Sequence, residues 1–389
     1  MNEDIRFGRI AGVAVGASWS LLVVIALITW TIAVGVLPGG EVEYPAPVYW
    51  AVGGVTAVAF LASLLAHEMA HALVARSRGI PVEGITLWMF GGVSRLGHDV
   101  PDARTELRMA VIGPLASLGI GVAATAAAVA LAAGGAPQVG IDAVVWLAFM
   151  NVALAVFNML PAFPLDGGRV LRAALWLRTG DLRRATTVAS GAGVAFGYGL
   201  IGLGAASLVG GAGISGMWLL LLGWIVLEAA RAERAGLELR LQLGDARVAD
   251  VMTPDPVTVP SGLTVDELVH QYVARYRCSA FPVVRDRGIP VGLVTLSGVR
   301  DVPETARATT LVDDVTRPIA RVLTARPDER VIDLVQRFTP GSGGRALVLD
   351  AGGAVVGILT SSDVERALTV AQAQRPGRAS PSPVVPGAA

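Results

Sequence analysis

The sequence predicts a multi-pass α-helical membrane protein followed by a cytosolic α/β region that contains an internal repeat. Of its 389 residues, 53% are hydrophobic and only 16% are charged, whereas a soluble protein normally carries about 25% charged residues. The charges are also unevenly placed, because long uncharged runs fill residues 1–235 and a mixed, charged pattern follows. These observations place a membrane region before a soluble one.

Six transmembrane helices are predicted from the uncharged runs, since a span needs about 20 apolar residues. The longest run, residues 185–227, is interrupted by the glycine-rich segment 209–216 and therefore indicates two helices. The expected spans lie near residues 15–37, 47–76, 107–132, 142–162, 186–208 and 214–232. We therefore expect residues 1–235 to form a six-span membrane domain.

Arginine placement predicts how this domain is oriented. Arginines precede the first span, follow the second, fourth and sixth spans, and are missing from the other three connections. Because Lys and Arg are enriched in cytoplasmic loops, both termini and the soluble region are expected on the cytosolic side of the cell membrane.

The second predicted span carries ionisable side chains where lipid makes them costly. They are His67, Glu68 and His71, in the segment "HEMAH". Residues four apart share one helix face, so both imidazoles can reach one metal ion while Glu68 lies beside them. This is the HExxH pattern of metalloproteases. A catalytic zinc ion usually has three protein ligands and one open position, so a third ligand must come from elsewhere.

The candidate third ligand is Asp166, in the segment "FNMLPAFPLDGGRVLRA" at residues 157–173. It is the only acidic residue between Asp142 and Asp181, and it lies at the cytosolic end of the fourth predicted span. The prolines and the two glycines around it are expected to break the helix there. That break would free backbone and let a carboxylate turn inward.

The two segments together, "HEMAH" and "NMLPAFPLDGGR", resemble the site-2 protease family of intramembrane zinc metalloproteases, peptidase family M50. The resemblance covers residues 10–235. It implies that His67, His71 and Asp166 bind one Zn²⁺ per chain and that Glu68 is the general base. It also implies substrates that are membrane proteins, cut in or near their transmembrane segments during regulated intramembrane proteolysis.

Asn158, eight residues before Asp166, is a further polar residue that the resemblance places near the metal. Its amide could donate to the oxyanion that forms during peptide hydrolysis. The alternative is a helix-packing role, which polar residues often have inside membranes.

The segment 84–100 alternates apolar and β-prone residues around Gly91 and Gly92, a pattern typical of a β-hairpin. The resemblance implies a membrane-associated β element near the active site, in which Gly91 and Gly92 would contribute to substrate binding. A free strand edge could hold an unwound substrate segment through backbone hydrogen bonds. The alternative is a cytosolic loop that lies on the lipid headgroups.

The soluble region repeats itself after about 65 residues, since "VGLVTLSGVRDV" (291–302) aligns with "VGILTSSDVERA" (356–367). Each copy is expected to contain a strand, a helix, two strands and a helix. The repeat resembles tandem CBS domains, at residues 246–305 and 309–372. The tail at 373–389 is rich in Pro, Ser and Gly and is expected to be disordered.

CBS pairs often bind adenine nucleotides through a Thr/Ser-x-x-Asp turn that contacts ribose. The second copy retains this turn as Thr360 and Asp363, whereas the first has Thr295 and, in the acidic position, Gly298. The resemblance therefore implies at most one ribose site of this type, through which a nucleotide could regulate the membrane domain. The alternative is a dimerisation module that forms a homodimer. Nucleic acid is not an expected partner, because no basic patch with interleaved aromatic residues is present.

The leading functional hypothesis is therefore an intramembrane zinc metalloendopeptidase with a CBS pair. One alternative is a non-proteolytic membrane receptor or transporter that is gated by the CBS domains. Another is a different membrane zinc protease whose third ligand would be a helical glutamate. The predicted spans offer no suitable glutamate for that role.

Overall fold

The computed structural model describes residues 5–39, 42–89, 91–96, 100–211, 213–276, 278–285, 288–338 and 343–373. The chain divides into two compact units, Met1–Ala235 and Gly236–Ala389. The first unit holds the long apolar helices and the second holds the repeat. The described residues end at residue 373, so the tail that is expected to be disordered lies outside them.

Long helices dominate the first unit. They are α1 (Ser20–Trp30, extended to Gly39 by a π-helical and a 3₁₀ turn), α2 (Ala46–Ser77), α3 (Ala103–Ala133), α4 (Gln138–Asn158), α5 (Asp166–Thr179), α6 (Leu182–Val209) and α7 (Gly213–Leu243). Within the described residues, all of them except α5 are long and apolar enough to cross a membrane. The prediction of six transmembrane helices is therefore confirmed.

Three differences from the predicted helix boundaries change how the elements are arranged. Residues 15–17, expected to start the first span, belong instead to a strand, Val13–Ala17. The fourth span ends at Asn158 rather than near residue 162, and α5 follows as a separate short helix. The last helix continues past residue 232 to Leu243, because the charged residues there are also good helix formers.

A four-stranded sheet accompanies the helices of the first unit, in the order β1 (Ile5–Ile10), β2 (Val13–Ala17), β3 (Val82–Trp88) and β4 (Gly91–Leu96). The pairs β1–β2 and β3–β4 are antiparallel, whereas β2 and β3 are parallel. The predicted hairpin around Gly91 is confirmed, and the N-terminal hairpin was not predicted. Buried side chains of β2 and β3 pack against α2 in one cluster that includes Val13, Val15, Ile85, Leu87, Leu61, Met69 and Ala72.

The second unit contains both copies of the repeat. Its elements are α8 (Val248–Val251), β5 (Thr253–Pro254), β6 (Val259–Pro260), α9 (Val265–Leu268), α10 (Ala274–Tyr276), β7 (Ala280–Val284), β8 (Pro290–Thr295), α11 (Leu296–Arg300), α12 (Val312–Val315), β9 (Arg317–Pro318), β10 (Leu323–Ala325), α13 (Val331–Gln336), β11 (Arg345–Leu349), β12 (Val355–Thr360) and α14 (Ser361–Ala373). From β6 in the first copy and from β10 in the second, the elements follow the predicted order of strand, helix, strand, strand and helix. A short helix and a two-residue strand precede each of these two strands.

The two copies exchange short strands. One sheet has the order β6-β7-β8-β9 and the other has the order β10-β11-β12-β5. Thus β5, which precedes the first copy's other strands, pairs with β12 of the second copy, while β9 completes the first copy's sheet. The hydrophobic core of the second sheet also takes in Leu243 and Val248. The copies consequently fold as one interlocked pair.

Candidate metal centre

Helix α2 presents two buried histidines on one face. The ring centroids of His67 and His71 lie 4.9 Å apart, and the two residues are only 2% and 8% exposed. Their spacing of four residues on an unbroken helix produces this arrangement, as the sequence predicted. Buried imidazoles need polar partners, and here α3 and α5 supply them.

Asp166 reaches these histidines because the chain turns sharply between α4 and α5. Helix α4 ends at Asn158, and α5 begins at Asp166 itself, where the helix N-terminus favours a carboxylate. The next two residues must be small. A Cβ atom at Gly168 would lie 2.5 Å from the backbone nitrogen of Phe163, and one at Gly167 would overlap the backbone of the same turn. Two glycines therefore let the first turn of α5 pack directly on the 159–165 segment.

Three donor atoms converge at this point. Oδ2 of Asp166 lies 3.2 Å from Nε2 of His67 and 3.2 Å from Nε2 of His71. The two Nε2 atoms are also 3.2 Å apart. Ligand atoms that bind a tetrahedral zinc ion at about 2.0–2.1 Å stand about 3.3 Å from one another. The three residues therefore fit one zinc ion and leave its fourth position open for water or substrate.

Helix α3 orients both imidazoles through their Nδ1 atoms. Nδ1 of His71 donates a hydrogen bond to the backbone carbonyl of Met109 at 2.5 Å, and Nδ1 of His67 lies 2.9 Å from the hydroxyl of Ser117. Since a carbonyl can only accept, the proton of His71 resides on Nδ1 and its Nε2 keeps a lone pair for a metal. Sequence analysis missed Met109 and Ser117. The signal that the sequence offered was a serine, Ser117, within an apolar, uncharged run.

Gly113, between these two residues on α3, keeps the space beside the rings open. A Cβ atom at this position would lie 2.7 Å from Nε2 of His67 and would overlap Nε2 of His71. Sequence analysis also missed this residue, because α3 contains several other glycines and alanines that look the same in the sequence.

Glu68 lies next to His67 on α2, half-buried, and the hairpin reaches it. A Cβ atom at Gly92, the second residue of β4, would lie 2.8 Å from Cδ of Glu68. Gly91 adopts a φ of +128° and its Cβ position has no atom within 4 Å. Of the two predicted substrate-binding glycines, the structure thus brings Gly92 to the site and leaves Gly91 beside it.

Asn158 is the last residue of α4 and is half-buried. Among the described residues it makes no hydrogen bond to His67, His71 or Asp166. The structure therefore places it at the end of the helix that precedes the Asp166 turn, without a hydrogen bond to these three residues.

In the second unit, Thr360 and Asp363 form a capping box at the start of α14. The backbone N–H and hydroxyl of Thr360 donate to Oδ2 of Asp363 at 2.9 and 2.7 Å, and the N–H of Asp363 lies 3.3 Å from the hydroxyl of Thr360. Asp363 is only 4% exposed. In the first copy, Thr295 accepts from the N–H of Gly298 and no carboxylate completes the pair. The predicted ribose-binding residues thus also have a structural role.

Comparison with known proteins accounts for both units. Peptidase family M50 matches residues 55–138 and 129–200, and the CBS domain matches residues 248–304 and 312–370. A zinc metalloprotease of Mycobacterium tuberculosis, Rip3, is 44% identical over 377 residues, which cover 97% of this chain and 95% of the relative. This chain belongs to peptidase family M50.

Two solved structures also resemble parts of this M50 protein. The site-2 protease from Methanocaldococcus jannaschii has 25% identity and a TM-score of 0.41, and the match covers 59% of this chain and 94% of that one. The CBS domain of a bacterial CNNM/CorC family Mg²⁺ transporter, in complex with ATP, has 22% identity and a TM-score of 0.31 over 36% of this chain and 97% of that one.

Family membership establishes the general activity. The protein is a multi-pass membrane zinc metalloendopeptidase of the site-2 type that carries two CBS domains. The prediction of Zn²⁺ as cofactor is confirmed by the same family and by the donor cluster of His67, His71 and Asp166. Family membership therefore excludes the alternative function, a non-proteolytic receptor or transporter.

Proposed function

We propose that His67, His71 and Asp166 hold the zinc ion and that Glu68 is the general base of peptide hydrolysis. The observation that supports this assignment is the triangle of donor atoms with sides of 3.2 Å, beside which Glu68 lies on the same helix turn. Zinc, when bound there, supplies Lewis-acid activation of water and of the peptide carbonyl.

The protein's own groups then move the protons. Glu68 accepts a proton from the attacking water as the new C–O bond forms, and a proton passes to the peptide nitrogen as the C–N bond breaks. One water is consumed, and a carboxyl and an amine terminus are released. The amide N–H of Asn158 is proposed to donate to the oxygen that gains negative charge. A role in helix packing is the alternative for Asn158.

The substrate is proposed to bind as an extended strand along β4. A transmembrane helix hides its peptide bonds in internal hydrogen bonds, so it must be unwound before hydrolysis. Within the described residues, β4 pairs only with β3 and forms one edge of the sheet. Since Gly92 of β4 lies against Glu68, a segment that adds to this edge would pass the general base. Backbone hydrogen bonds would hold it there.

The chain is proposed to lie in the cytoplasmic membrane with both termini and the CBS pair in the cytosol. Arginine placement in the connections supports this orientation. The substrates would then be membrane proteins whose cut site lies near the cytosolic end of a span, because the donor cluster is close to the end of α2 at Ser77.

An adenine nucleotide is proposed to bind the second CBS copy at Asp363. Its Oδ2 is occupied by Thr360, whereas Oδ1 has two longer contacts, both of 3.3 Å, to the hydroxyl of Thr253 and to the guanidinium of Arg366. The Arg366 side chain is 70% exposed and can swing away at little cost. A ribose hydroxyl could then donate to Oδ1. The alternative, a pair that serves only to form a homodimer, would need no such site.

The catalytic assignment is tested with the full-length protein purified in detergent. Glu68→Gln should keep one zinc per chain and lower turnover of a membrane substrate by about 10²–10⁴-fold, because the amide cannot accept the proton. His67→Ala should lose the zinc. Glu228→Gln, which changes an exposed carboxylate of α7, serves as the matched control. Cleavage at the wild-type rate by zinc-loaded Glu68→Gln protein would contradict the assignment.

A further inference from the structure

A charged cluster joins α3, α5 and α7, and two of its three side chains are buried. The guanidinium of Arg172, on α5, binds two carboxylates. Its Nε donates to Oε1 of Glu106 at 2.6 Å, and its Nη2 also pairs with Glu106. Its Nη1 donates to Oε1 of Glu233, also at 2.6 Å. The side chains of Arg172 and Glu106 are only 12% and 4% exposed, whereas that of Glu233 is 38% exposed. The family assignment and the proposed mechanism use none of the three residues.

The same guanidinium also holds the turn that leads to Asp166. Its Cζ atom lies 5.0 Å from the ring centroid of Phe163, a cation–π contact. Phe163 is fully buried, and its backbone packs against Gly168 in the first turn of α5. Arg172 thus contacts the segment before Asp166 while it is itself part of the helix after Asp166.

Glu106 connects this arrangement to the histidines. It lies in the first turn of α3, three residues before Met109, whose carbonyl holds His71, and eleven residues before Ser117, which holds His67. The ion pair between Glu106 and Arg172 therefore ties the helix that orients two donors to the helix that carries the third.

We infer that Arg172 is a positioning residue, which fixes Asp166 relative to the two histidines through Glu106 and Phe163. This inference rests on the proposed role of Asp166 as a zinc ligand. A buried ion pair is by itself weak support for a stabilising role, because burial of both charges offsets their attraction. The forked guanidinium is suited to fixing the relative positions of its partners, since it binds one carboxylate through two nitrogens and still stacks on an aromatic ring.

Metal affinity tests the inference independently of proteolysis. Full-length Arg172→Lys and Glu106→Gln proteins in detergent should bind Zn²⁺ about 10–100-fold more weakly than wild type, the usual loss when groups that support metal ligands are changed. With Co²⁺ as the probe, the visible absorption spectrum should shift, because the third ligand is displaced. Circular dichroism should remain that of the wild-type protein, which separates misplacement of a ligand from unfolding.

Two controls make the outcome interpretable. Arg231→Met removes an exposed arginine of α7 that pairs with Glu228, and it should change neither the Zn²⁺ affinity nor the Co²⁺ spectrum. Asp166→Ala should abolish binding of both metals. If Asp166→Ala keeps wild-type affinity, the proposed zinc site itself is wrong.

A double variant keeps the inference testable if single changes unfold the chain. Arg172→Met combined with Glu106→Leu removes both buried charges together, which should restore folding but leave the weakened Zn²⁺ affinity and the shifted Co²⁺ spectrum. If Asp166→Ala loses the metal while Arg172→Lys and the double variant keep wild-type affinity and spectrum, Arg172 is a structural residue only and the inference is overturned.

Discussion

Gly92 and Glu68 touch across the boundary between the hairpin and helix α2, since a Cβ atom at residue 92 would lie 2.8 Å from Cδ of Glu68. The contact has two consequences. It brings the edge of a β-sheet next to the proposed general base, and it makes the position of Glu68 depend on the hairpin. In the proposed mechanism, proton transfer by Glu68 and binding of the substrate strand would therefore be coupled through a residue that has no side chain.

We predict that Gly92→Ala displaces Glu68 without affecting the metal. Turnover should fall by about tenfold or more, because correctly placed proton transfer contributes about 10²–10⁴-fold, while the zinc content stays at one per chain. Gly91→Ala is the matched control. It strains a residue with a φ of +128°, but its Cβ would meet no atom within 4 Å. Equal losses in the two variants would show that general disturbance of the hairpin, and not displacement of Glu68, is the cause.

We predict that Gly113→Ala abolishes zinc binding. The added methyl group would lie 2.7 Å from Nε2 of His67 and overlap Nε2 of His71, so both imidazoles would have to leave the metal position. Gly119→Ala on the same helix should bind zinc normally, because its Cβ would meet no atom within 4 Å. Zinc content of the purified full-length proteins gives the comparison. Full zinc occupancy in Gly113→Ala would show that the metal is bound elsewhere.

We predict that Ser117→Ala weakens zinc binding by about 10–100-fold while the protein stays folded. The reason is that His67 loses the hydroxyl that fixes its ring, and such partners typically contribute this much to metal affinity. Ser63→Ala is the matched control. Ser63 is a buried serine on α2 whose hydroxyl donates to a backbone carbonyl of its own helix. Competition with a chromogenic zinc chelator measures both affinities, and unchanged affinity in Ser117→Ala would contradict the proposed orientation of His67.

The part of the site that could be predicted is the part that local geometry determines. His67, Glu68 and His71 lie within five consecutive residues of one helix, so their spacing alone places them together. Asp166 is about one hundred residues away and became a candidate because it is an isolated acid in an apolar region beside helix-breaking residues.

The part that could not be predicted depends on contacts between distant segments or on backbone atoms. Met109 acts through its carbonyl, which every residue possesses, and Gly113 matters only because α3 passes beside the imidazoles. The N-terminal hairpin was missed because its apolar residues merge with the uncharged run that follows. The exchanged strands β5 and β9 are two residues long each, too short for any alternation to appear in the sequence.

The last prediction concerns the CBS pair. We predict that Asp363→Ala weakens adenine nucleotide binding at least tenfold, because a hydrogen bond to a charged group contributes about 1.5–3 kcal/mol. The same change removes a capping box, so a matched variant is required. Glu267→Ala removes a capping box of the same kind at the start of α9 in the first copy, where Thr264 and Glu267 exchange hydrogen bonds at 2.9 and 3.2 Å.

Calorimetry of the full-length protein with ATP, ADP and AMP distinguishes the two roles of Asp363. If loss of a cap were the whole effect, Glu267→Ala would weaken binding as much as Asp363→Ala. If Asp363 contacts ribose, only Asp363→Ala should do so. Absence of binding by the wild-type protein would leave the pair as a dimerisation module. Where a nucleotide does bind, it changes proteolysis only if its affinity differs between active and inactive arrangements, which protease assays with and without that nucleotide measure directly.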